Sequence, residues 1–103
     1  MIPEKTINDL IIKHANLERE LSSGNIDKKF FAEKSKEYSD LNEIIEDAKK
    51  YLSFEKDKTE LEKILVDENS DSELLKMAEI ELKDLEMHYK KNEKRLKLFL
   101  LPK

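Results

Sequence analysis

Cysteine and tryptophan are missing from this sequence, and 103 residues hold one glycine and two prolines. Without cysteine there is neither a disulfide nor a thiolate zinc site, which fits a reducing cytosol. A lone glycine cannot build a phosphate-cradling loop, because such a loop needs several residues free to bring the backbone close to the phosphates. No apolar run approaches the roughly 20 residues needed to cross a bilayer, and residues 1–5 (M-I-P-E-K) lack the basic-then-apolar layout of a signal peptide. The expectation is a soluble, cytoplasmic chain with no membrane partner.

What the sequence has instead is charge. Asp, Glu, Lys and Arg make up 43% of it and apolar residues 38%, a mixture typical of long helices and coiled coils, in which a thin apolar seam replaces a compact centre. The net charge of −4 conceals an asymmetry: residues 1–87 carry 14 basic and 23 acidic groups, whereas residues 88–103 carry six basic and one acidic. Only the tail is basic.

Apolar spacing divides the chain into three helices. Ile7, Leu10, Ile11, His14, Leu17 and Leu21 recur three and four apart after Pro3, which suits a first turn because its missing N–H has no intrahelical partner there. Gly24 then supplies the left-handed residue that closes a helix, so the first helix spans about residues 3–22. Asp27 is placed to cap a second helix over about residues 27–66, with a stripe of Phe31, Tyr38, Leu41, Ile45, Ala48 and Leu52. Phe54, Leu61 and Leu65 continue that stripe after a phase shift near residues 53–58, which predicts a bend or a change of packing partner. The polar segment 66–71 breaks the pattern, and Ser70 with Glu73 has capping-box spacing for a third helix over about residues 71–100. Its seam of Leu75, Ala78, Leu82, Leu85, Tyr89, Asn92, Leu96 and Phe99 matches an antiparallel coiled-coil partner. The predicted fold is all-α: an elongated, unequal three-helix antiparallel coiled-coil bundle forming one domain over residues 1–103.

Reactive chemistry is hard to place on this frame. His14 and His88 lack a ligand at i+3 or i+4, so a metal site is not expected; His14 reads as a packed seam-edge side chain and His88 as a neighbour of the third seam. Acidic pairs such as Glu18 with Glu20 are too abundant to single out an acid and a base, and no nucleophile has a histidine nearby. No catalytic residue, cofactor or small-molecule substrate is expected. The candidate contact residues are Lys90, Lys91, Lys94, Arg95 and Lys97, which either meet RNA phosphates or complement the negative end of the third helix. No aromatics interleave with them to stack bases, which favours the second role. The apolar run 98–102 either caps the bundle or continues into a neighbouring domain, and a chain stopping one residue later is expected to be truncated. Self-association through that run, or through Phe54, Leu61 and Leu65, is left open.

Three stretches carry a family resemblance: residues 35–41 (S-K-E-Y-S-D-L), residues 67–74 (D-E-N-S-D-S-E-L) and residues 98–103 (L-F-L-L-P-K). In order and spacing, over essentially the whole chain, they resemble the helical N-terminal domain of bacterial class-I peptide chain release factors. The L-L-P-K ending is more similar to the members that read UAA and UAG than to those that read UAA and UGA. The resemblance implies a ribosome-docking domain that projects toward the stalk base and works with the GTPase that recycles these factors. It also implies that codon reading and peptide release lie elsewhere, since neither the Gly-Gly-Gln nor the Pro-x-Thr-type tripeptide occurs here. A free-standing coiled-coil adaptor or dimerisation protein is the alternative.

Overall fold

The computed structural model describes residues 1–102; Lys103, the last residue of L-L-P-K, lies outside the described residues. Three helices follow one another, α1 (Glu4–Ser23), α2 (Lys28–Val66) and α3 (Ser72–Leu100), and no strand occurs among the described residues. Each boundary has a local cause. Gly24, at φ 74°, takes the left-handed conformation that ends α1, and the Asp27 carboxylate accepts from the Lys29 N–H at 3.0 Å to start α2.

The start of α3 differs from the sequence expectation. Asp71, not Ser70, is the cap, accepting from the Leu74 N–H at 2.8 Å. Ser70 is held in the turn before it, where its N–H donates to the Asp67 carbonyl and its hydroxyl donates to the Ile64 carbonyl at 2.8 Å. That hydroxyl serves a carbonyl in the last turn of α2, a role in direct competition with capping α3.

α2 is the spine. α1 runs antiparallel along its first half and α3 returns antiparallel along its second, giving extents of 61 × 29 × 20 Å. The radius of gyration, 18.4 Å, exceeds the roughly 13 Å of a compact chain of this length, so reach is built at the expense of a central core. The shared core lies where all three helices meet: Ile2 and Ile7 at the start of the chain, Ile44, Ala48 and Tyr51 of α2, and Leu96 of α3.

Past that junction only two helices remain, which explains the phase shift near residues 53–58. The amino end of α1 lies beside Tyr51, Leu52 and Glu55, and beyond it α2 pairs with α3 alone. The spacing of apolar residues follows this change of partner. Two expectations are corrected here. Phe54 is not a free seam residue for self-association: it is 7% exposed and stacks on Tyr89 with ring centroids 3.9 Å apart. Phe31, placed in the second stripe by spacing, is 52% exposed, because the first turns of α2 lie next to the connecting turn where neither neighbour covers them.

Candidate functional site

The orientation of α3 on α2 is set by a polar knot inside the junction. Tyr51 accepts from the Ile2 N–H at 3.1 Å and from the Tyr89 hydroxyl at 3.2 Å, and donates to Glu93 Oε2 at 2.9 Å. The Tyr51 and Tyr89 rings stack at 4.8 Å. Burial pushes the Tyr51 hydroxyl well above its ordinary pKa, and its hydrogen bond holds the Glu93 carboxyl below the ordinary value. The hydroxyl thus remains a neutral donor and Glu93 a charged acceptor, the combination that gives the strongest hydrogen bond between them. Spacing alone identified Tyr89 as a seam residue but gave no sign of Glu93, whose partner lies 42 residues earlier.

This knot sorts the basic cluster. Arg95 reaches across to α2, pairing with Asp47 at 3.3 Å and donating to the Glu43 carbonyl at 3.3 Å. Lys97 pairs with Glu93 one turn earlier at 3.3 Å. Lys90, Lys91 and Lys94 are exposed, with no ion pair among the described residues. Lys90, Lys94 and Lys97 line one shallow depression with Leu98 and Leu101, both more than half exposed. The five cations are therefore two sets: Arg95 ties α3 to α2 and Lys97 pairs with Glu93 within α3, while Lys90, Lys91 and Lys94 present unpaired charge, Lys90 and Lys94 beside the apolar depression.

His14 is a packed side chain. Its ring stacks on Tyr38 at 4.9 Å and Nε2 donates to Asn42 Oδ1 at 3.0 Å, tying α1 to α2. His88 donates from Nδ1 to the Asp84 carbonyl at 2.7 Å on its own helix. Among the described residues no group of three or more His, Cys, Asp or Glu side chains could hold a metal, and no helix is long and apolar enough to cross a membrane.

A second surface was not singled out by spacing. On the distal part of α3, Met77, Ile80 and Met87 are 56%, 61% and 69% exposed, on a stretch rich in acidic residues. They fall outside the heptad seam, so a search for buried periodicity passes over them. Their signal is the opposite one, large apolar side chains on a polar face.

These features define a rigid, elongated, all-helical module with charge segregated along its length. The chain belongs to the PCRF domain family, whose model matches residues 10–103. It is 68% identical over all 103 residues to peptide chain release factor 1 of Pelagibacter ubique (strain HTCC1062), covering 29% of that protein. It is also 38% identical over 97 residues to peptide chain release factor 1 of Orientia tsutsugamushi (strain Boryong), covering 94% of this chain and 27% of the relative. With the release factor 1 of Treponema denticola it shares 35% identity over 101 residues, 96% of this chain and 28% of the relative. The chain thus spans under a third of the length of these curated relatives. No solved structure matches it.

Proposed function

We propose that this chain is the N-terminal ribosome-docking domain of a cytoplasmic translation termination factor, one that directs peptide release at UAA and UAG. The observation that carries the reading is 68% identity over all 103 residues to a release factor 1, and the L-L-P-K ending of this chain supports it by resemblance. The domain acts by shape and surface charge and performs no catalysis. Codon reading and ester hydrolysis are assigned to the remainder of the whole factor, as no Gly-Gly-Gln tripeptide occurs in these 103 residues. Its partners are the stalk-base region of the ribosome and, in the whole protein, the recycling GTPase.

A molecule 61 Å long, with a two-helix arm on a three-helix foundation, suits this role, because a stiff spacer fixes where its far end can touch. Lys90, Lys91 and Lys94 are assigned to RNA phosphates, being the cations left free after Arg95 and Lys97 engage the fold. Each phosphate neutralised on duplex-like RNA should add about 0.9 to the slope of log affinity against log salt. The test is co-sedimentation of the 103-residue chain with purified ribosomes at two salt concentrations, with a charge-matched coiled coil as control. Binding above the control, with a slope that flattens in a Lys90→Ala/Lys91→Ala/Lys94→Ala variant, is the expected result. Binding no better than the control would contradict the reading.

A further inference from the structure

A groove runs between α2 and α3 along the two-helix arm. Its larger part, about 570 Å³, has an apolar floor of Leu61, Ile64 and Leu85 and four carboxylates around it: Asp57 and Glu60 from α2, Glu81 and Asp84 from α3. It continues past His88 into a recess of about 250 Å³, where Ser53 and Asn92 lie on opposite helices and Lys50 supplies a cation. The two share Asp57, Leu85 and His88, so they form one surface.

Asn92 gives this groove its direction. It is 8% exposed, the one buried polar residue among those described; its side chain bonds no other described residue, and its amide atoms are not sealed from solvent. Neighbouring polar side chains are satisfied: Ser53 donates to Asp57 at 3.0 Å, and Tyr51, Tyr89 and Glu93 bond one another. An amide carries two donors and an acceptor, and where these stay reachable from solvent a partner's polar atom can bond them in place of water. The recess that Asn92 lines is the place where a partner atom can meet it.

We propose that this groove receives a cationic, amphipathic helix of a partner protein. Apolar side chains of that helix would lie on Leu61, Ile64 and Leu85, its lysines or arginines against the four carboxylates, and one polar side chain against Asn92. From Ser53 to Ile64 the groove follows about three turns of α2, roughly 16 Å, enough for a short helix laid between two ridges. The carboxylates repel RNA phosphates, and a second copy approaching through the same face would set acid against acid. The proposal is independent of ribosome docking.

The probe is a synthetic 18-residue helix with leucines three and four apart and flanking lysines, titrated into the isotope-labelled 103-residue chain. A scrambled peptide of the same composition serves as control. The expected result is saturable one-to-one binding that shifts the Asn92 side-chain amide and the signals of Leu61, Ile64 and Leu85, with the scrambled peptide at least about tenfold weaker. An Asp57→Asn/Glu81→Gln/Asp84→Asn variant, checked for unchanged helicity, should bind about tenfold more weakly, since each partly exposed ion pair contributes modestly. Equal affinity for the scrambled peptide, or shifts confined to other faces, overturns the proposal. So does a dimer of the free chain that dissociates on Lys90→Glu/Lys94→Glu substitution, because the groove would then belong to a second copy.

Discussion

Around Tyr51 three helices share one core; beyond Glu55 two helices continue alone. The junction buries Ile7 and Leu96 completely and ties the segment leading into α1 to α2 and α3 through one tyrosine hydroxyl. The distal arm has only Ala78 fully inside and leaves Met77, Ile80 and Met87 in solvent. A third helix removes apolar surface that two helices must leave exposed, and hydrophobic burial is roughly proportional to that area. The comparison teaches a division of labour: the junction holds the fold, and the arm offers surface.

That division is broken most severely by removing atoms from the junction. Leu96→Ala should cost about 3 kcal/mol in unfolding by denaturant, because a fully buried leucine in a three-sided core leaves a cavity. Leu82→Ala on the half-buried arm seam should cost about 1 kcal/mol, since the gap opens toward solvent. Equal losses would mean that the arm is as tightly packed as the junction. An effect smaller than that of Leu96→Ala is expected from Tyr51→Phe, about 1–2 kcal/mol, which keeps the ring stack but strips a partner from the Ile2 N–H, from Tyr89 and from Glu93. A double-mutant cycle with Glu93→Gln should be non-additive, because both changes delete the same bond.

The subtlest effect is in acid. The folded-state pKa of Glu93 is depressed, first by the hydrogen bond from Tyr51 and further by Lys97. The carboxylate therefore contributes stability that is fully present above the unfolded value near 4.5 and is lost as pH falls from there through the folded value. Glu93→Gln should flatten the loss of stability in that acidic window and leave its neutral-pH slope unchanged, measured by denaturant titration at each pH. Should the acid limb stay as steep, other carboxylates carry it.

Helix architecture was readable in the sequence because it rests on local chemistry. Gly24 and Asp27 punctuate the chain through their own backbone and side chain, and the seam of α3 is a repeat visible without a partner. Ser70 and Asp71 were harder to separate: both are good caps, and the choice between them depends on a carbonyl at the end of α2. Long-range pairings were not readable. Nothing in the run 90–97 distinguishes Arg95, bound to Asp47 of another helix, from Lys94, bound to nothing; that depends on the register between α2 and α3. The Tyr51–Glu93 bond and the groove at Asn92 depend on the same register. Spacing thus identified the candidate lysines as a group, and only the packed structure divided it.

The central claim is that the two-helix arm and the free lysines meet the ribosome while α1 and the junction serve as foundation. Photo-crosslinking tests it most directly, with the reactive group placed in turn at Ile80 on the arm, Lys94 beside the apolar patch, and Asn8 on the exposed side of α1, in the presence of purified ribosomes. The account expects crosslinks to ribosomal components from Ile80 and Lys94 and only background from Asn8. Crosslinks of equal yield from all three positions, or from Asn8 alone, would contradict it.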